Sequence, residues 1–336
     1  MSKLSGGQFA AFLLITDAFT LFCLMGNVSV ITCAAFLTGI LLQFGLSIPA
    51  IRYYSGGGTL KNAPKPVLWF YLLYIILWGG LLFVMLWNAS EELSIPSENF
   101  GIIPEKLLIA GLIGIVCLYA SSPEIHSLAR AAVISAALGA FSILLVIISS
   151  FPEIHLEYLT DLSYADSFIS ELSRGFVLSG GLGSFVVFSD SLKGSHLKCA
   201  AGYFAGKALL YTAVILTSAA VAGGIMEITD YPVIMAAELS QPFTAQRIDS
   251  LFLIIFAIFA VFSIAVQTTA ASSLISALFP SFTKFRSTAA LAAMTASAFL
   301  LSGTYQYSPI YGWAAVAALA AVPVLMLIKK ESGRRS

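Results

Sequence analysis

Charge is scarce in this 336-residue chain: only 10% of the residues are Asp, Glu, Lys or Arg, against about 25% in ordinary water-soluble domains. That scarcity excludes a conventional soluble domain. The seventeen basic and seventeen acidic residues cancel, so no bulk charge directs the chain to nucleic acid or to an acidic partner. Histidine is scarcer still. His126, His155 and His196 lie in or near loops and form no ligand cluster. Four cysteines, Cys23, Cys33, Cys117 and Cys199, show neither zinc spacing nor a disulfide framework and read as small apolar residues. The "YYSGGGTLKNAPKP" glycines match no phosphate-binding fingerprint. No span carries the paired acids or acid–histidine set of an intramembrane protease. These absences argue against an enzyme, a metal site and a bound cofactor.

What is present is apolar. The chain is 59% hydrophobic, with a mean hydropathy of +0.93. A helix needs about 20 mostly apolar residues to span the hydrocarbon core. Ten stretches qualify: 9–25, 29–51, 66–88, 106–121, 128–149, 172–190, 198–224, 250–278, 285–303 and 308–328. The expected fold is all-α and polytopic, a single integral membrane domain over 1–336. The first apolar run reads as a retained helix rather than a signal peptide, because further spans follow.

Lys and Arg concentrate in cytoplasmic loops. With ten spans, fourteen of the seventeen basic residues fall on the side of the two termini, and Lys106, Arg174 and Arg247 on the other. Both termini are therefore expected in the cytoplasm. "SSPEIHSLAR" reads as the start of the fifth helix, with Ser121–Ser122 as cap and Pro123 and Glu124 in the first turn. "GYFAG", Gly202 to Gly206, has the small-xxx-small spacing of close helix packing.

Ten spans divide into two inverted five-helix repeats, about 9–149 and 172–328. In transporters of that plan the first helix of each repeat is broken near the midplane, where half-helix ends face the substrate. Helix six has Gly180, Gly181 and Gly183 at its middle, followed by Ser184. Helix one has Thr16 and Asp17 at a similar depth, with Thr20 one turn on. A carboxylate there costs on the order of 2.5–3.5 kcal/mol, and Asp and Thr also cap helix starts. Breaks in helices one and six, meeting at a central binding site, are the expectation. The competing reading is close packing for the glycines and a structural hydrogen bond for Asp17. Tyr74 and Trp78 share a face of helix three, lining a pocket or meeting lipid. Ser263, Gln267 and Thr268 on helix eight suit a pocket, an ion site or an interhelical hydrogen bond. Such a site suits a zwitterion, with amide N–H groups for its carboxylate and carbonyls or Asp17 for its ammonium.

The chain resembles the spore germination permease family, the membrane B subunit of germinant receptors, within the amino acid–polyamine–organocation superfamily. "RIDSLFLIIF" carries the most specific likeness: Arg247, Asp249, Leu251 and Phe252 fit the Arg-x-Asp-x-Leu-Phe start of the family's eighth helix, with Phe256 where the family often has Trp. The Gln8–Phe9 start and "LARAAVISAALGAFSILLVIISSFPEI", with Ala129–Arg130, are also similar. His126 stands where the family commonly has an acid, and "LMGNVS" replaces its Leu-Pro element. The resemblance implies a subunit that binds a small germinant, often an amino acid, in a permease-like cavity beside A-type and C-type partner subunits in the spore inner membrane. The other reading of the same pocket is a secondary active amino acid or solute permease coupled to protons or sodium.

Overall fold

In a computed structural model, the described residues are 3–60, 63–93, 105–121, 125–160, 166–223, 230–239, 248–282, 284–303 and 309–335. The main helices are α1 (Gly6–Phe22), α2 (Val30–Ser55), α3 (Lys65–Leu93), α4 (Glu105–Ser121), α5 (Ile125–Ser149), α6 (Leu156–Thr160), α7 (Phe168–Val177), α8 (Gly181–Phe188), α9 (His196–Ala222), α10 (Pro232–Leu239), α11 (Ile248–Leu278), α12 (Arg286–Leu301), α13 (Pro309–Val316) and α14 (Val322–Arg335). Six are long and apolar enough to cross a membrane. The pair α7–α8 passes the same test as one span, bent by 47° at its break. Gly6–Phe22, Gly111–Ser121 and Arg286–Leu301 are shorter apolar helices. The cap expected at Ser122–Glu124 lies outside the described residues, as do Arg247 and the side chain of Asp249.

Capping chemistry sets where helices begin. Ser5 accepts from the Gln8 N–H while Gln8 accepts from the Ser5 N–H, and Ser29 and Thr32 do the same for α2. Ser167 and Ser195 cap α7 and α9. The π-helical turn at Ala317–Ala321 joins α13 to α14, and its Ala318 carbonyl accepts from the Tyr71 hydroxyl at 2.8 Å.

The polarity is inverted relative to a soluble protein. Leu41, Ile134, Leu209, Leu300 and Trp313 are largely exposed, whereas Asp17, Gln43, Lys207 and Gln267 are completely buried. An apolar exterior around a polar centre suits lipid as the solvent. Small residues let helices approach closely. A Cβ on Gly80 would lie 2.1 Å from Ser297 Oγ of α12, and one on Gly139 would lie 2.1 Å from the Phe259 ring of α11. Gly206 of the "GYFAG" pattern packs this way on Leu14, but Gly202 faces open space. That pattern is half a packing motif.

Two expectations need correction. Helix one is not broken at Thr16–Asp17: α1 is continuous from Gly6 to Phe22. The reason is that Asp17 bonds across to other helices and caps nothing in its own. The irregular stretch comes later, at Cys23–Ser29. There Gly26 takes φ +84°, its N–H donates to the Asp230 carbonyl at 2.8 Å, and Arg174 donates to the Met25 and Asn27 carbonyls. The charge count also changes. Lys207 is in the core, not in a loop, and Arg174 is buried against Glu171 at 2.9 Å. On the ten-span division, fourteen minus one and three minus one leave thirteen basic residues against two.

Candidate functional site

The site is assembled around the break Leu178–Gly180, where α7 gives way to α8. The glycines there act through space rather than through unusual dihedrals. Gly180 has φ −62° and ψ −25°, open to any residue. A Cβ on it would meet Thr16 Cγ2 at 2.9 Å, and both Thr20 Cγ2 and Trp78 Nε1 at 3.1 Å. One on Gly181 would meet the Tyr203 hydroxyl at 2.7 Å, and one on Gly183 the Tyr74 ring at 2.5 Å. The three glycines thus admit α1, α9 and α3 to the break. Close approach is what the structure shows of all three glycines.

The break frees backbone groups that must be paired at this depth. The protein pairs three of them with its own side chains. The Leu178 carbonyl accepts from the hydroxyls of Thr20 and Tyr211, the latter at 3.0 Å. The Gly180 carbonyl accepts from Gln267 Nε2 at 3.0 Å, and Gln267 Oε1 accepts from Ser184 Oγ at 3.1 Å. The Gly181 N–H, at the start of α8, donates to Asp17 Oδ1 at 3.0 Å. A carboxylate at a helix N-terminus also meets the positive end of the helix dipole.

Asp17 is the hub. Its Oδ2 accepts from the Tyr203 hydroxyl, and its Oδ1 lies 3.4 Å from Lys207 Nζ. Lys207 donates to Gln43 Oε1 at 3.2 Å, Gln43 Nε2 donates to Ser179 Oγ at 2.8 Å, and Ser179 donates to the Gly175 carbonyl at 2.8 Å. The rings of Tyr203 and Tyr211 lie 5.9 and 5.4 Å from the ammonium, within cation–π range. This circuit joins α1, α2, α7, α8 and α9. Removing one member of a buried ion pair typically costs about 3–5 kcal/mol, because the other charge is left uncompensated.

The sequence-predicted residues divide. Thr16, Asp17, Thr20, Gly180, Gly181, Gly183, Ser184 and Gln267 converge on the break, and Tyr74 and Trp78 come to it from α3. Tyr74 and Trp78 are buried and stacked, with centroids 6.1 Å apart and planes at 16°, so they do not face lipid. Ser263 and Thr268 bond within their own helix, to the Phe259 and Ile264 carbonyls at 2.6 and 2.8 Å; Thr268 also lies 3.8 Å from Met294 Sδ. No bond joins either of them to the break. Sequence reasoning missed Lys207, Gln43, Ser179, Tyr203 and Tyr211. The available signal was Lys207 itself, a cation well inside an apolar span and therefore in need of a buried acid.

Two of the groups that a zwitterion could use are held by the protein itself: the Gly181 N–H by Asp17, and the Asp17 carboxylate by Lys207 and Tyr203.

No family model matches the chain, and no curated protein matches it. Among solved structures, the chain is similar to Mhp1, a nucleobase-cation-symport-1 family transporter in a closed conformation with bromovinylhydantoin bound. The TM-score is 0.61 at 14% identity, over 97% of this chain and 78% of that one. It is also similar to a Na+-coupled sialic acid symporter in a substrate-bound outward-open state, with a TM-score of 0.50 at 16% identity over 93% of this chain and 71% of that one. At these identities the likeness is one of fold: the chain is an all-helical membrane protein built like these transporters.

Proposed function

We propose that the chain is a secondary solute permease whose small polar substrate binds at the α7–α8 break, against Thr16, Tyr74, Trp78 and Gly180. The observation carrying this reading is the broken span itself, met at its break by a buried charged and polar circuit. Irregular backbone at membrane depth is tolerated only where it is buried or lines a cavity. The symporter-like fold supports the same reading, as do the solutes and ions named for its two neighbours. Six long helices, one bent pair and three shorter apolar helices are consistent with ten spans in two inverted repeats. Thirteen basic residues against two favour cytoplasmic termini.

A second reading keeps the same pocket and removes the turnover: a ligand-sensing subunit of the germinant-receptor kind, working beside A-type and C-type partners. The observation on its side is that the protein's own side chains hold the Leu178 and Gly180 carbonyls and the Gly181 N–H. A core in which the protein holds its own half-helix end suits a switch between two states, and a ligand shifts such a switch only by differential affinity.

Proteoliposome uptake separates the two. The permease reading expects labelled solute to accumulate in the lumen and Asp17→Asn to reduce that accumulation. Saturable binding with no accumulation under proton or sodium gradients contradicts turnover and leaves the sensor.

A further inference from the structure

Three buried polar groups around the break have no hydrogen-bond partner among the described residues: Thr16 Oγ1, Tyr74 Oη and Trp78 Nε1. Their side chains are at most 6% exposed. Every other polar group named at the break is paired, and the two formal charges there, Asp17 and Lys207, are paired with each other. The unpaired groups cluster. Thr16 and Trp78 both flank Gly180, Tyr74 flanks Gly183, and Tyr74 and Trp78 are stacked one turn apart on α3.

From this pattern we infer that the substrate is an uncharged, planar molecule with a carbonyl or ring-nitrogen acceptor, bound by the Trp78 indole N–H and the Tyr74 and Thr16 hydroxyls. The inference rests on the permease reading of the site and assigns its substrate class. The chemistry follows from what is left over. An indole N–H donates only, so its partner must be an acceptor. Two hydroxyls can each donate or accept, which suits a ligand edge carrying both functions. No uncompensated charge remains to neutralise a carboxylate or an ammonium, and burying an unpaired ligand charge beside α3 is strongly unfavourable. The stacked Tyr74 and Trp78 rings put aromatic surface beside Gly183 and Gly180, which suits a flat ligand better than a branched chain. Leaving three donors unpaired inside the protein is itself unfavourable, so the site is stabilised by a ligand that satisfies them.

The test uses the purified full-length protein in detergent, with uracil, hydantoin and nicotinamide as uncharged planar probes and L-alanine and L-phenylalanine as zwitterions. Calorimetric titration is expected to detect at least one planar probe and neither amino acid. Trp78→Phe keeps an aromatic side chain but removes the N–H with the five-membered half of the indole; it is expected to weaken that probe by about tenfold. The smaller ring leaves space in a buried position, so the melting temperature without ligand is expected to fall. Tyr74→Phe keeps its ring and loses only an unpaired hydroxyl; it is expected to weaken the same probe while its melting temperature without ligand stays at or above that of the parent. An amino acid that binds, with affinity lost in Trp78→Phe, overturns the substrate class and upholds the site. A planar probe that binds equally well to the parent and to Trp78→Phe overturns the assigned donor. No binding of any probe, with no uptake by the parent protein, overturns this inference together with the permease reading.

Discussion

Helix α1 carries a charge and no break, whereas the pair α7–α8 is broken where it carries no charge. Asp17 sits on a continuous α1, while the stretch Leu178–Phe188 has three glycines, a bend and not one ionisable side chain. The two are complementary. The carboxylate on the intact helix meets the first free N–H of the interrupted one, and Lys207 on α9 balances the charge from the other side. A single break is enough to present backbone groups, and an intact partner helix holds its carboxylate more rigidly than a frayed one. The comparison teaches that an intramembrane acid need not mark a break in its own helix. It can mark one in its neighbour.

The largest expected effect tests the charge side. Lys207→Met leaves Asp17 uncompensated in a buried site and is expected to cost about 3–5 kcal/mol, read as a large drop in melting temperature. The double variant Asp17→Asn with Lys207→Met removes both charges and is expected to recover much of the loss. A double variant that melts no higher than Lys207→Met contradicts the pairing. On the break side, Gly180→Ala places a methyl 2.9 Å from Thr16 and 3.1 Å from Trp78. Overpacking of that kind typically costs about 1–3 kcal/mol. Gly202→Ala meets nothing within 4 Å and is helical, so it is expected to be neutral or to stabilise by up to about 1 kcal/mol. Equal losses in the two variants are the outcome that removes the special role of the break. Gln267→Leu comes next, leaving the Gly180 carbonyl and Ser184 without their partner, at about 1–3 kcal/mol. The smallest expected effect is Ser263→Ala, which loses one bond within α11 and is expected to cost no more than about 1 kcal/mol while sparing solute binding.

Much of this arrangement was legible in the sequence, for physical reasons that particular residues make plain. The bend falls at the Gly180–Gly183 cluster because only a residue without Cβ lets three helices close on the chain there. Gln267 and Ser184 were both named for a central site, and they bond each other. The helices follow the apolar runs because hydropathy over some twenty residues is a local property. What stayed hidden is through-space pairing. Lys207 was counted among loop cations because an apolar window averages one charge away, and nothing in the linear order ties it to Asp17, 190 residues earlier. Gln43 vanished into an apolar run in the same way. The break assigned to helix one followed from the capping habit of Asp, a local rule that the contacts with Gly181, Tyr203 and Lys207 override.

The most direct test of the central claim, that the solute meets the protein at the break, is water access to residue 16. With the four native cysteines replaced by alanine, Thr16→Cys puts a thiol beside Gly180, and Ala298→Cys puts one in fully buried packing on α12. A thiol must ionise in contact with water to react with a small charged thiosulfonate. The account predicts that cysteine 16 is modified in membranes, that the solute slows its modification, and that cysteine 298 stays inert. A thiol at 16 that is as inert as the one at 298, with and without solute, contradicts it.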